Sequence, residues 1–195
     1  MKNLVLVFCV VMAIAIGSQA SATSILSFEP FVSSINSGDS VDVNVVISGL
    51  RANDAVGGFD FNVVFDDSVL AFDSYSLTDN LGSIPAYDAD DWSLGDLGGG
   101  TVNIAELSWL SDLSFQDDSF VLATLSFTGI GVGTSSLLFD NIIISDAQGS
   151  DICTVPSFGI VKVNPVDPVP EPATMVLLGA GIVGLVGSRI RRKKK

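Results

Sequence analysis

Carboxylates are the reactive side chains of this sequence: Asp and Glu number 22 among 195 residues, and histidine is absent. Without histidine there is no Ser-His-Asp or Cys-His relay, and none of the common histidine zinc sites. Cysteine adds little. Cys9 lies in an apolar leader and Cys153 stands alone beyond it, so no internal disulfide forms and thiolate metal sites are excluded. Cys153 reads as a half-buried structural thiol. No Gly-rich loop follows a strand and opens a helix, so nucleotide binding lacks its physical basis. Glycoside hydrolysis needs only two carboxylates, and Glu106, close to Trp109, is the best candidate for a buried acid. The alternative is an ordinary outward strand residue. No second glutamate and no cluster of aromatics accompanies it, which argues against an enzyme.

Two other chemistries remain. Asp88-Ala89-Asp90-Asp91, Asp117-Asp118 and the acids between Asp140 and Asp151 carry the hard oxygen ligands that Ca²⁺ takes. None matches the EF-hand loop, so a Ca²⁺ ion at Asp88, Asp90 and Asp91 stands beside plain solvated turns, and no other cofactor is expected. Trp92, Tyr87, Tyr75 and Trp109 are flat enough to stack on sugar rings. Trp92 and Tyr87 fall in a polar segment and are the candidate glycan contacts. Trp109 falls in a strand pattern and reads as core.

The elements that position these residues are strands. Val41, Val43, Val45 and Ile47 alternate with more polar neighbours, as do Phe59, Phe61, Val63 and Phe65, which is the period of a half-buried strand. Asp66-Asp67-Ser68 turns the chain into a strand at 69–77, and that pair predicts a hairpin. Further strands are predicted at 24–28, 101–109, 119–128, 134–145 and 158–163. Residues 78–100, rich in Asp, Gly and Ser, read as an unusually long loop of the kind that is often functional. Helical periodicity is absent from this region. The expected fold is all-β: a jelly-roll β-sandwich of about nine strands.

Gly57-Gly58-Phe59-Asp60-Phe61-Asn62-Val63-Val64-Phe65-Asp66, then Val69-Leu70-Ala71-Phe72, resembles the signature of cohesins and related carbohydrate-binding modules. Leu122 to Phe127 is similar to a later strand of that fold, and Val41 to Leu50 to its second strand. The resemblance covers about residues 25–163. It implies a nine-stranded sandwich and a partner that is a dockerin-type protein or a glycan. Phe65-Asp66-Asp67 replaces the usual Tyr-Asp-Pro, and the chain holds one module and no dockerin sequence.

The two ends are addresses. Met1-Lys2-Asn3, an apolar run from Leu4 to Ile16 and small residues to Ala22 form a signal peptide over 1–22. At the other end Pro170-Glu171-Pro172 precedes an uncharged apolar segment, 173–188, of sixteen residues. A spanning helix takes roughly 17–25, and Arg189, Arg191, Arg192, Lys193, Lys194 and Lys195 extend it by snorkelling and stay on the cytoplasmic side. Tripeptide, helix and basic stop in that order resemble the PEP-CTERM sorting signal of Gram-negative bacteria. The resemblance implies recognition by an exosortase-type membrane transpeptidase. The expected organisation is therefore a signal peptide (1–22), a sandwich domain (23–163), a Pro-rich spacer (164–169) and a sorting signal (170–195) with one transmembrane helix.

Removing the ends exposes the charge of the domain. Seven of the nine Lys and Arg lie in them, leaving Arg51 and Lys162 against twenty-one acids, or −19. Such a surface repels phosphate backbones, so nucleic acid is excluded as a partner. It suits an exported protein, anchored in the inner membrane and then displayed on the surface or released, whose partner is exopolysaccharide or another surface protein.

Overall fold

Strands form here because apolar side chains recur at every second position, so one face of each segment must find cover. The computed structural model describes residues 23–51 and 54–166, together with Ala180. The chain divides into two units, one ending at Asn164 and one beginning at Pro165. The expected signal peptide, the sorting tripeptide, the basic tail and nearly all of the expected membrane helix lie outside the described residues. Ala180, within that helix, is helical. Among the described residues no helix is long and apolar enough to cross a membrane.

The strands are β1 (Ser24–Glu29), β2 (Val32–Asn36), β3 (Ser40–Ser48), β4 (Val56–Val64), β5 (Leu70–Leu77), β6 (Ala89–Asp91), β7 (Gly95–Asp96), β8 (Thr101–Ser108), β9 (Ser119–Gly129), β10 (Gly133–Asp146), β11 (Thr154–Pro156) and β12 (Gly159–Asn164). One sheet has the order β11-β1-β3-β9-β5. The other runs β2-β12-β10-β4-β8-β6, with β7 also on β8. These twelve segments reduce to about nine strands when three divided ones are joined. The first strand divides at Pro30, which has no N–H to continue a ladder, so β1 pairs with β3 while β2 pairs in parallel with β12. The last divides after Pro156, β11 lying parallel to β1. Short β6 and β7 share one edge of β8.

The two sheets meet in one apolar layer. Val43, Val45 and Ile47 from β3 face Phe59, Phe61 and Val63 from β4, all at most 4% exposed. Phe28 of β1 stacks on Phe139 of β10 with centroids 4.2 Å apart and planes at 7°, and Phe139 meets Phe61 edge-on at 5.5 Å. Aromatic pairs in these geometries contribute about 0.5–1.5 kcal/mol beyond the area they bury. Phe65 and Phe72 both pack edge-on against Phe127 of β9.

Two expectations from the sequence are corrected. β4 and β5 are not a hairpin: β4 pairs with β8 and β10, whereas β5 pairs with β9 in the other sheet. The amides of Val69 and Leu70 both donate to the Asp66 carbonyl, a tight helical bend that carries the chain across the core. Phe65 and Leu70 are buried on either side of it. Nor is the 78–100 segment one long loop. It holds a 3₁₀ turn at Ile84–Ala86 as well as β6 and β7.

Gly57 shows how closely β4 and β10 approach. A Cβ built there would sit 2.6 Å from the Asp146 carbonyl oxygen and 2.7 Å from the Ala147 Cα. Backbone on both sides cannot give way as a side chain can. Gly57→Ala should destabilise the domain by about 1–3 kcal/mol, read as a lower midpoint in chemical denaturation. An unchanged midpoint would contradict this packing.

Candidate functional site

The outer face of the second sheet carries the side chains that β4, β8 and β10 turn away from the core. Register sets Asp60 beside Ala105 and Ile143, and Asn62 beside Asn103 and Asp140. Asn103, only 6% exposed, is the hub. Its Nδ2 donates to Asp60 Oδ1 at 2.7 Å and Asn62 Oδ1 at 3.0 Å, and its Oδ1 accepts from the Leu94 amide at 3.0 Å. These bonds fix the loop that follows β6 and stand Trp92 over the sheet, where its amide donates to the Ala105 carbonyl. Trp92, Asp60, Leu107, Ile143 and Ser145 line a shallow depression of about 250 Å³. Gly58 keeps its floor low, since a Cβ there would lie 3.1 Å from Leu107 Cδ1. Trp92 is 62% exposed and Ile143 58%. A flat apolar centre within a ring of carboxylate and amide groups can take an apolar anchor from a partner, with hydrogen bonds around it.

Beneath this face lies a buried acid. Val102, Ile104 and Glu106 alternate on the inner face of β8, and Glu106 is 2% exposed with neither carboxylate oxygen hydrogen-bonded. Its register partner on β6 is Asp91. Asp91 bridges the open side of the sandwich, accepting from the Tyr75 hydroxyl at 2.9 Å on Oδ2 and from the Ser93 amide at 2.9 Å on Oδ1. Burial, and then the negative charges of Asp91 and Asp79, push the Glu106 carboxyl up to about 8.

Comparison with known proteins adds the family. The cohesin domain model matches residues 30–154, and the PEP-CTERM protein-sorting motif matches 168–193. The chain belongs to the cohesin family. Solved cohesins superpose on it over nearly their whole length. The sixth cohesin of scaffoldin B from Acetivibrio cellulolyticus, solved with a Cel5 dockerin mutant, is 18% identical, covers 73% of this chain and 99% of its own, and gives a TM-score of 0.60. The cohesin of the OlpC–Doc435 complex from Clostridium thermocellum is 13% identical over 77% and 99%, with a TM-score of 0.60. A non-cellulosomal cohesin from Archaeoglobus fulgidus is 14% identical over 79% and 96%, with a TM-score of 0.55. No curated relative matches the sequence. At these identities the likeness establishes the fold. The sorting motif marks the chain for export with a membrane-anchored C-terminal signal and implies exosortase processing.

Within this cohesin domain the residues singled out from the sequence are scattered more than gathered. Tyr87 caps the 3₁₀ turn with a left-handed φ of 63° and is 84% exposed. Trp92 is on the outer face, as described. Trp109 is exposed rather than core, because β8 ends one residue earlier. Cys153 is exposed rather than half-buried. Asp88 precedes β6, while Asp90 and Asp91 are successive strand residues and project to opposite faces. Those three do not converge, and among the described residues no three acid, histidine or cysteine side chains are placed to hold a metal ion. Glu106 is the buried acid the sequence offered, yet it points into the core and not into a cleft. Asn103 was missed, although an amide flanked by Val102 and Ile104 is a sequence-readable outward position.

The sign of the Glu106 effect is fixed by linkage. A folded-state value of about 8, against an ordinary 4.5, means that stability is complete below 4.5 and is lost as pH rises towards 8. Glu106→Gln removes the ionisation. Its melting temperature relative to wild type should climb between about pH 4.5 and pH 8 and then level off. A difference independent of pH would show that Glu106 titrates normally.

Proposed function

We propose that this chain is a non-enzymatic surface or extracellular-matrix protein of a Gram-negative bacterium, which presents the outer face of its second sheet to another protein. Residues 1–22 direct Sec export, and the helix at 173–188 holds the domain outside the inner membrane. An exosortase-type transpeptidase then acts at Pro170-Glu171-Pro172. The spacer 164–169, with prolines at 165 and 168, has a composition that disfavours helix and favours an extended chain.

The observation that carries the binding reading is Trp92, fixed by the Asn103 hydrogen bonds over the depression on β4, β8 and β10. Two of the solved cohesins described above were captured with dockerins, which supports a protein as the occupant. Polysaccharide is the second reading. It is favoured by the exposure of Trp92 and Tyr87, whose rings are free to stack on sugars.

Both halves are testable. Glu171→Ala should leave the chain membrane-bound at its unprocessed size, whereas wild type shortens on processing. A tail that shortens equally in both would remove the sorting assignment. Trp92→Ala should weaken binding to a responsive dockerin-type module by about tenfold or more, measured by calorimetry. Loss of binding to purified exopolysaccharide instead would favour the second reading.

A further inference from the structure

The Asp91–Glu106 pair is an unusual thing to build into the edge that carries Trp92. The amide of Trp92 donates to Ala105, and that of Trp109 to Asp88. Asp91 and Glu106 therefore face each other at the narrow, non-hydrogen-bonded position of the antiparallel ladder. Side chains there have Cβ atoms about 4.5–5.5 Å apart, and like charges directly opposite are destabilising. Both side chains lie on the same side of the ladder, but only Glu106 is away from water, at 2% exposed; Asp91 is exposed at the open edge. The groups around Glu106 offer no relief. Asp91 on β6 and Asp79 after β5 are the charges that act on it, and both are acidic. Tyr75 on β5 gives its hydroxyl to Asp91, and the register partner on β4 is the apolar Phe59. β6 is only three residues long and, among the described residues, has β8 as its one ladder partner.

We propose that Glu106 is a proton-operated latch on β6. Protonated, it lets β6 lie against β8 and holds Trp92 in place on the outer face; ionised, it drives the β6 edge off and dismantles the depression. The inference deepens the binding reading above, since it names what regulates that face. It concerns the strand itself, however, and is measured without a ligand.

Linkage makes the proposal quantitative. When β6 opens, Glu106 meets water and returns to an ordinary carboxyl value near 4.5, against about 8 when closed. Between those limits opening releases one proton, so the open population grows about tenfold per pH unit. Below the lower limit and above the upper one it is constant.

Amide hydrogen exchange on the processed chain, run from pH 4 to pH 9, reads this directly. The protection factor of the Trp92 amide should fall about tenfold per pH unit up to about pH 8 and then level off. It should stay below the protection of the β3 and β9 amides throughout, because the event is local. In Glu106→Gln the Trp92 factor should not vary with pH. A flat wild-type profile, an unchanged slope in Glu106→Gln, or Trp92 protection equal to that of β3 and β9 would each overturn the latch. So would a gain in protection on adding millimolar Ca²⁺ at pH 8 that Glu106→Gln abolishes, since the pair would then serve a cation. Should the variant fail to fold, the wild-type series alone decides. Failure of Trp92→Ala to affect binding would overturn the binding reading and leave the exchange profile untouched.

Discussion

Everything in this domain hangs on two sheets sharing one apolar layer, in which aromatic rings from both sheets pack on one another. Phe28 on one sheet stacks flat on Phe139 of the other, and Phe139 in turn meets Phe61 edge-on. With Cys153 exposed and unpaired, no disulfide shares the work. Burial of these rings and of the aliphatic rows around them must therefore offset the conformational entropy of the ordered chain. The same layer fixes which side of each strand is left for function. Once Phe59, Phe61 and Val63 face inward, Asp60, Asn62 and Gly58 have only the outer surface to occupy.

The outer face and the buried acid share one piece of backbone. Asp91 lies on β6 beside Glu106, exposed at the open edge, and Trp92 follows it on the outer face. What happens to one carboxyl is felt by the ring next to it through a single peptide. Structural cores rarely keep a carboxyl whose two oxygens have no partner, because desolvation disfavours the ionised form and an unmade hydrogen bond is costly. Glu106 is such a group, placed at the edge of the sandwich rather than deep within it. At that edge the Tyr75 hydroxyl donates to Asp91 and so links the two sheets.

Sequence patterns announced the long strands and missed the short ones for physical reasons. Phe59, Phe61, Val63 and Phe65 alternate strictly, so β4 and its buried face could be read at once. β6 could not, because Ala89-Asp90-Asp91 are residues that strands avoid. Its place is set by β8 and by the Tyr75 bond, which are tertiary facts. The turn at Asp66-Asp67-Ser68 was visible, but turn residues do not say which sheet the chain enters next. There the burial of Phe65 and Leu70 decides. Glu106 was legible as the odd acid in a strand, but the sequence reading left an outward position open; its 2% exposure, in step with Val102 and Ile104, settles it as inward. The pairing with Asp91 was not legible, since it depends on β6. The sorting signal was fully legible, because its information lies in the order of local segments and not in a fold.

The parallel pairing of β2 with β12 has a consequence for reach. Val163 and Asn164 lie beside Gly133 and Asn36, so the chain leaves the sandwich at the end where β10 begins. Trp92, Glu106 and Ile143 belong to the other end, where β10 finishes and β4 starts. The face that carries Trp92 and the last residues of β12 therefore belong to opposite ends of the sandwich, set apart by the length of β10.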